Sequence, residues 1–280
     1  MPLKTNHLKP LARPLLLDAV PGAAAAYSLR QLSNAYTGPV VTVRRSSDDA
    51  EADFKASEID DGTLTSFCGA GDGFVKTWWD QSVSGNHAIA PADANEPKIV
   101  DAGSLVTEGG KAAIQFDGSD DHMATASAIS FANVCAFVLY KHKDGGLNWK
   151  RVINAWDSGS NDGWFLAKYL NTNSIEFRIE PLVGDGEITI PDASTTDDEH
   201  LLVTAIYAQG AGTVYKNGAI EDTKTGLTTS FAASQKITIG GRVIGSVVEA
   251  YALAVNEIII YPSDQSANRQ RIEGNIAWYY

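Results

Sequence analysis

Hydrophobic residues in this chain fall in short runs separated by glycine, asparagine and aspartate. The runs are rich in β-branched and aromatic residues, which predicts strands rather than helices. About a dozen closely spaced strands of this kind favour an all-β sandwich or jelly roll. The predicted strands are 40–45, Phe74–Trp79, Ala112–Phe116, Val134–Tyr140, Arg151–Trp156, Gly163–Lys168, Ser174–Ile179, Glu187–Ile190, Leu201–Tyr207, Thr213–Lys216, Ala219–Glu221, Lys236–Gly240 and Val255–Tyr261.

One hairpin is predicted from its turn. Asn217-Gly218 lies between Thr213–Lys216 and Ala219–Glu221, and a type I′ turn needs positive φ at both central residues. Asparagine and glycine adopt that conformation most readily, so the two strands are predicted to pair directly.

Helical spacing is found near both ends of the chain. Ala25, Leu29, Leu32 and Tyr36 recur at helical spacing and predict a short N-terminal helix, which Thr37-Gly38-Pro39 would end. In the same way, Ile272, Ile276 and Tyr279 predict a C-terminal helix.

The first 22 residues contain four prolines and lack periodicity, which predicts an extended docking arm. Residues 23–280 are then expected to form a single jelly-roll domain. The arm carries too much apolar surface for a solvated tail, so we expect a partner protein to cover it. A solvated leader is the alternative. The proposed docking residues are Leu3, Lys4, Leu8, Lys9, Leu11, Arg13, Leu15, Leu16 and Leu17.

Composition and charge narrow the function classes. With 44% hydrophobic residues the chain can bury a sizeable core, and its formal net charge of −12 argues against nucleic-acid binding. No apolar stretch is long enough for a membrane-spanning helix. Pro14, Asp18 and Pro21 also interrupt the only leader-like segment, so a cleaved signal is not favoured.

Few residues have the spacing of a metal or cofactor site. The two cysteines, Cys68 and Cys135, have no zinc-ligand spacing, and the five histidines form no ligand pair. No nucleotide-binding fingerprint is present. The expected cofactor content is none, with Ca²⁺ as an alternative through Asp117, Asp120 and Asp121, whose carboxylates could equally face water in a polar turn.

Three segments resemble concanavalin A-like and laminin-G-like jelly rolls: Phe116–Asp121, Val214–Gly218 and Glu257–Tyr261. The segment 24–90 is more specifically similar to the start of the fungal arabinofuranosidase B catalytic domain. The matching residues are Ala26-Tyr27-Ser28-Leu29-Arg30, Ala35-Tyr36-Thr37-Gly38-Pro39, Val43-Arg44-Arg45, Ser66-Phe67-Cys68 and Trp79-Asp80-Gln81-Ser82-Val83-Ser84-Gly85-Asn86.

This resemblance implies a sandwich fold and, in the enzymes, retaining glycoside hydrolysis, but the chain departs from the enzymes at three places. The partner of Cys68 in a family disulfide would stand at Gly73. The general acid would follow Gly240-Gly241, where this chain has Arg242, which cannot donate a proton at neutral pH. The nucleophile would fall in Phe165–Asn171, which has no carboxylate, and the nearest is Glu176. We therefore expect no glycosidase activity.

A glycan site is predicted where tryptophans, acids and amides cluster, because aromatic faces stack on sugars and polar groups bond their hydroxyls. Alternatively, the tryptophans belong to the core. The candidates are Trp149, Trp156, Asp157, Asn161, Asp162, Trp164 and Arg242. Asp80 is predicted to have a structural role in a turn.

Similar blocks occur in bacteriophage tail and virion proteins and in bacterial surface proteins. The sequence thus favours a non-enzymatic virion protein, in a tail, fibre or capsid surface. We expect it to be a homo-oligomer that docks on other virion proteins and binds a host glycan, without nucleic acid or membrane insertion. The alternatives are a carbohydrate-binding module on a bacterial surface or in a secreted protein, and an active glycoside hydrolase of the arabinofuranosidase type.

Overall fold

The computed structural model describes residues 13–142, 150–157, 162–168, 174–180, 187–190, 195–196, 198–227, 234–244 and 247–280. Antiparallel strands dominate this part of the chain, which confirms the predicted all-β sandwich. No helix within these ranges is both long and apolar enough to cross a bilayer.

The strands of the first half are β1 Ala25–Ser28, β2 Val41–Arg45, β3 Glu51–Phe54, β4 Gly73–Trp78, β5 Ala88–Ile89, β6 Lys98–Asp101, β7 Ser104–Leu105, β8 Thr107–Glu108, β9 Lys111–Ala112, β10 Ile114–Asp117, β11 Met123–Thr125, β12 Ile129–Ser130 and β13 Val134–His142. The helices are α1 Leu16–Ala19, α2 Ala56–Asp60, α3 Thr63–Cys68 and α4 Arg269–Tyr279, with a 3-10 turn at Asp93–Asn95.

The strands of the second half are β14 Lys150–Asp157, β15 Asp162–Lys168, β16 Ile175–Glu180, β17 Glu187–Ile190, β18 His200–Ala208, β19 Ala211–Lys216, β20 Ala219–Thr225, β21 Ser234–Gln235, β22 Thr238–Ile239, β23 Gly241–Ile244, β24 Val247–Ala250 and β25 Ala252–Tyr261.

Two layers of strands enclose the core. One layer runs β3–β2–β4–β5–β11–β22–β14–β15–β16–β17. The other runs β20–β19–β18–β13–β25, and β25 pairs with both β1 and β10. Strand β6 pairs with β4 and β10 and so joins the layers. On the opposite side Thr189 N donates to Asp222 Oδ2 at 3.1 Å, which leaves the jelly roll nearly closed.

Strands β13 and β25 are buried on both faces, which explains why their sequences are continuously apolar. Val134, Ala136 and Val138 of β13 face the main core between the layers. Cys135, Phe137 and Leu139 face a second apolar cluster on the outer side. Helix α4 closes that second cluster with Ile272 and Ile276, so the predicted C-terminal helix is confirmed.

The second cluster also contains part of the segment predicted to be a docking arm. Leu16, Leu17 and Val20 are buried in it. Helix α1 is fixed by backbone bonds from Leu17 N to Leu32 O and from Val20 N to Leu16 O. Assigning Leu16 and Leu17 to a partner surface is therefore wrong, because they belong to this protein's own core. Leu15 is half-buried, Arg13 is exposed, and Leu3, Lys4, Leu8, Lys9 and Leu11 lie outside the described residues.

The predicted helix over residues 25–36 is also wrong. Residues Ala25–Ser28 form β1 and pair with Glu257–Ile260 of β25. The apolar residues of this segment do have helical spacing, but both faces of the short strand β1 are buried. Tyr27 points towards the main core and Ala26 towards the second cluster. Pairing with β25 satisfies backbone groups of both strands, and this tertiary contact overrides the helical pattern.

The predicted turn at Asn217-Gly218 is confirmed. Both residues have positive φ, +49° and +85°, as a type I′ turn requires. Asn217 Oδ1 also accepts a bond from Leu202 N at 2.9 Å, which ties the hairpin to β18.

Candidate functional site

A polar and aromatic face covers strands β14, β15 and β16 on the side away from the core. Alternate residues of these strands, such as Ala155, Trp164 and Phe177, pack in the main core. The intervening residues point the other way, because successive side chains of a strand alternate in direction. The antiparallel register places Asn154 beside Phe165 and Arg178 in one row, and Trp156 beside Gly163 and Glu180 in the next. We call the set formed by Arg151, Asn154, Trp156, Phe165, Glu176, Arg178, Glu180 and Arg242 the β14–β16 face, in which Arg151, Asn154, Phe165, Glu176 and Glu180 are buried.

Gly163 stands in the middle of its row, where the neighbouring strand approaches closely. Its φ is +131°, and a Cβ at this position would lie 2.1 Å from Ala155 O. Only glycine fits this position without strain. The backbone of β14 fills the space that a side chain at residue 163 would need, so the close pairing of β14 and β15 beside Trp156 requires glycine.

Arginine side chains lie against the aromatic rings of this face. The Arg242 guanidinium carbon is 4.1 Å from the ring centroid of Trp156. The Arg151 guanidinium carbon is 5.2 Å from the Trp156 centroid and 3.2 Å from the Phe165 centroid. Cation–π attraction holds such pairs together and fixes the orientation of the rings.

The position of Arg242 follows from the two glycines that precede it. Gly240 has φ +81°, and a Cβ there would lie 2.2 Å from the Phe116 ring. Gly240 N donates to Val152 O at 3.0 Å, and Asn154 Nδ2 donates to Gly241 O at 2.8 Å. These contacts anchor the start of β23 to β14, so Arg242 reaches the same face as Trp156.

Two carboxylates share the face with one arginine. Arg178 Nε lies 2.6 Å from Glu180 Oε1, and Arg178 NH1 lies 3.6 Å from Glu176 Oε1. The Glu176 side chain is only 1% exposed. From the sequence, Glu176 is named only as the carboxylate nearest to the segment where the resemblance implies a nucleophile. Arg178 and Glu180 are not predicted from the sequence. The period-2 alternation of Glu176, Arg178 and Glu180 with Phe177 and Ile179 is the signal that could have located them.

The residues predicted to bind a glycan do not all lie in one place. Trp164 is fully buried, 5.8 Å from Phe131 and 6.5 Å from Phe177 between ring centroids, so its assignment to the glycan site is wrong. Trp149, Asn161 and the side chain of Asp157 lie outside the described residues. Trp156 and Arg242 lie together on the β14–β16 face, and Asp162 stands at the end of the β14–β15 hairpin.

Two polar atoms in this region have unused hydrogen-bonding capacity. Trp156 Nε1 and Asp162 Oδ1 are buried and have no hydrogen-bond partner among the described residues. Such groups are rare in folded proteins because each costs desolvation free energy. A ligand hydroxyl can satisfy either atom, as donor to the carboxylate or as acceptor from the indole.

Asp80 has the structural role that the sequence predicted. Its Oδ1 accepts bonds from Ala26 N at 2.8 Å and Ser82 N at 2.9 Å. Its Oδ2 accepts bonds from Ser82 Oγ at 2.7 Å and Asn86 N at 2.9 Å. The carboxylate is buried and joins β1 to the turn after β4, with no free oxygen for catalysis.

The predicted metal candidates lie in one turn. Asp117 Oδ1 accepts bonds from the backbone N–H groups of Ser119, Asp120 and Asp121, at 2.7, 3.3 and 3.4 Å. The polar-turn interpretation is therefore correct for this oxygen. Ligand oxygens of Asp117, Asp120 and Asp121 also lie within 4.8 Å of one another.

Both cysteines are buried free thiols. Burial raises the pKa of Cys68 to about 11 and that of Cys135 to about 12. A Cβ at Gly73 would lie 2.6 Å from Cys68 Sγ, so positions 68 and 73 are adjacent, as the resemblance implies. No disulfide forms there because residue 73 has no side chain.

Comparison with known proteins finds a family model and solved structures that are similar to this chain. The family model "Alpha-L-arabinofuranosidase B, catalytic" matches residues 17–139. A crystal structure of an arabinofuranosidase complexed with arabinofuranosyl-alpha-1,2-xylobiose superimposes with a TM-score of 0.65 at 16% sequence identity, over 93% of this chain and 64% of that one. The chain has the jelly-roll fold of the arabinofuranosidase B catalytic domain.

Other solved structures agree. An α-L-arabinofuranosidase of family GH54, soaked with a cyclic sulfate inhibitor, matches with a TM-score of 0.63 at 16% identity, over 93% of this chain and 64% of that one. The receptor binding domain of botulinum neurotoxin D matches more distantly, with a TM-score of 0.50 at 14% identity, over 86% of this chain and 53% of that one. No curated protein matches the sequence.

The arabinofuranosidase similarity has limits that bear on the site. This chain spans 64% of the length of the solved arabinofuranosidases. The family model ends at residue 139, before the whole of the β14–β16 face. The family model therefore covers only the part of the jelly roll up to β13, and the chemistry of the face has to be inferred from its own residues.

Proposed function

We propose that this chain is a non-catalytic carbohydrate-binding jelly roll, with the β14–β16 face as its glycan site. The observation that carries the proposal is Arg242, which directly follows Gly240-Gly241. The resemblance to the arabinofuranosidases implies a general acid at this position. The Arg242 guanidinium carbon lies 4.1 Å from the Trp156 ring centroid. A guanidinium keeps its protons at neutral pH and cannot protonate a leaving glycoside. It can still hold an aromatic ring in place and donate hydrogen bonds to sugar oxygens.

The rest of the face supports binding rather than hydrolysis. A retaining glycosidase needs two carboxyl groups about 5–5.5 Å apart, one of which must supply a proton. Here Arg178 contacts both Glu176 and Glu180, so each carboxylate lies beside a counter-charge. Trp156, which pairs with Gly163 across the hairpin, supplies an aromatic ring of the kind that stacks on sugar rings.

Hydrolysis assays and a glycan array test this proposal together. We expect no release from aryl arabinofuranosides above the buffer rate, together with binding to surface polysaccharides on the array. Turnover that Glu176→Gln or Glu180→Gln abolishes would instead show an active glycosidase. The Trp278→Ala variant is the control and should behave as the wild type does in both assays, because Trp278 lies on α4, away from the β14–β16 face, and is 64% exposed.

We further propose that the protein acts as a structural or adhesive component of a bacteriophage virion, in a tail, fibre or capsid surface. The resemblance of segment 24–90 to blocks found in virion proteins supports this setting. In it, residues 1–12 dock on a neighbouring virion protein through Leu3, Leu8 and Leu11, with Lys4 and Lys9 adding attraction to an acidic surface.

Deletion of residues 1–12 tests the docking role. Because α1 starts at Leu16, the truncated chain is expected to fold with unchanged thermal stability but to be missing from purified particles. Normal incorporation of the truncated chain would contradict the docking role. Particle incorporation measured by mass spectrometry, beside a circular dichroism melt, separates a docking defect from a folding defect.

A further inference from the structure

The charged groups that the β14–β16 face presents to solvent are arginines rather than acids. The Arg178 side chain is 33% exposed, and Arg242 is half-buried. The two carboxylates of the face lie deeper, since the side chains of Glu176 and Glu180 are 1% and 11% exposed. A ligand that approaches this face therefore meets a guanidinium group before it meets a carboxylate.

The charge of this face is opposite in sign to the charge of the whole chain. The residues that form the face include three arginines and two glutamates, which leaves an excess of one positive charge. The chain as a whole has a formal net charge of −12. The positive charge is thus local to the face and does not follow from the composition.

Trp156 and Arg242 bring hydrogen-bond donors together on this face. The Trp156 Nε1–H has no acceptor among the described residues, and an indole nitrogen only donates. The Arg242 guanidinium lies over the same ring, and a guanidinium has five N–H donors and no acceptor. The ligand group that suits both is a negatively charged acceptor, because charge-assisted hydrogen bonds are roughly twice as strong as neutral ones.

We propose that the β14–β16 face binds an acidic polysaccharide, one whose sugars carry carboxylate groups, and that Arg242 recognises the carboxylate. This inference rests on the proposed function, because it names the class of glycan that the same site takes. A planar carboxylate can accept two parallel N–H bonds from a guanidinium, whereas a neutral hydroxyl offers a single oxygen. The carboxylate is thus the feature that separates the ligand from neutral polysaccharides.

Matched pairs of polymers test the preference for charge. The probes are polygalacturonate, alginate and hyaluronate, each beside the same polymer after its carboxyl groups have been reduced to primary alcohols. Reduction removes the negative charge and keeps the ring hydroxyls. In calorimetric titration we expect the full chain to bind at least one acidic polymer about tenfold or more tightly than its reduced partner.

Variants of two arginines test whether Arg242 carries the preference. Arg242→Gln should weaken binding of the acidic polymer about tenfold or more and leave binding of the reduced polymer unchanged, because the charge is lost. Arg242→Lys keeps the charge but loses the paired N–H bonds, so its affinity should lie between the two. Arg271→Gln is the matched control, because Arg271 is an exposed arginine on α4, and it should bind as the wild type does.

Three results would overturn the inference while the proposed function stands. These are binding of the reduced or of other neutral polymers at least as tight as that of the acidic ones, an equal loss for both polymers in Arg242→Gln, and an equal loss in Arg271→Gln. The second result would show that Arg242 only orients Trp156, and the third that the attraction is a non-specific ionic one. If the wild type binds no polysaccharide of either kind, the proposed function fails as well.

Circular dichroism checks that each variant folds. If Arg242→Gln does not fold, Arg242→Lys decides the outcome, and wild-type affinity of that variant for the acidic polymer would overturn the role of the paired N–H bonds.

Discussion

At the scale of single residues, Asp80 shows how one buried side chain can organise several segments. Its four accepted hydrogen bonds reach Ala26, Ser82 and Asn86. Three of these donors are backbone N–H groups, and that of Ala26 lies far from those of Ser82 and Asn86 in the sequence. The Asp80 side chain of the surrounding Trp-Asp-Gln-Ser motif therefore has a structural role.

We predict that Asp80→Ala lowers the free energy of unfolding by about 3 kcal/mol, because buried N–H groups lose a charged acceptor. Urea denaturation followed by tryptophan fluorescence measures the change. Asp60→Ala is the control and should leave the midpoint unchanged. A midpoint for Asp80→Ala equal to that of the wild type would contradict the structural role.

The tryptophans show what sequence can and cannot decide for individual residues. Trp156 and Trp164 are separated by one hairpin, and both looked suitable for sugar stacking. Register decides between them: Trp164 shares the core face with Phe177, while Trp156 points to the opposite face. A β-bulge in β14 between Arg151 and Ile153 shifts that register, and the sequence gives no direct sign of it.

At the scale of elements, a buried ion pair connects β25 to the segment after β1. Arg30 Nε bonds Glu257 Oε2 at 2.7 Å, and Arg30 NH2 bonds Glu257 Oε1 at 2.8 Å. Ser28 Oγ donates to the same carboxylate at 2.8 Å, and the Arg30 guanidinium lies 4.9 Å from the Tyr279 ring of α4. The pair thus lies where β1, β25 and the C-terminal helix meet.

Removing both charges should be less damaging than the sum of the two single removals. We predict that Glu257→Gln and Arg30→Met each destabilise the fold by about 3–5 kcal/mol, because each leaves the other group buried without its counter-charge. The double variant should be less destabilised than the sum of the two. A double-mutant cycle from urea denaturation measures this coupling, and additive losses would show that the two groups act independently.

The elements that the sequence predicted well are those whose local pattern agrees with their tertiary contacts. The run Val134–Tyr140 is apolar on both faces because both faces of β13 are buried. Residues 25–36 have helical spacing. Residues 25–28 nevertheless form a strand, because they pair with Glu257–Ile260 of β25. Leu16 and Leu17 cover the outer face of β13 and β25, whose residues are more than 100 positions away in the sequence. Because a local pattern cannot show such a distant contact, the two leucines looked like part of an exposed arm.

At the scale of the whole molecule, the fold matches that of the arabinofuranosidases, whereas the difference at the site belongs to the proposed function. The jelly roll keeps the Gly240-Gly241 pair, and the structure explains it by the close approach of Phe116 and by the bond to Val152. The next residue is free to change because it points to the β14–β16 face. On the proposed function, the fold keeps its packing while Arg242 stands at the position that the resemblance implies for the general acid.

The most direct test of this account is a calorimetric titration of a polysaccharide identified on the array into wild type, Trp156→Ala and Trp278→Ala. We predict that Trp156→Ala weakens binding at least tenfold, which corresponds to about 1.4 kcal/mol, while its circular dichroism spectrum stays that of the wild type. Trp278→Ala should bind as the wild type does. If Trp156→Ala also keeps wild-type affinity, or if the wild type hydrolyses the polysaccharide, the β14–β16 face is not a non-catalytic glycan site.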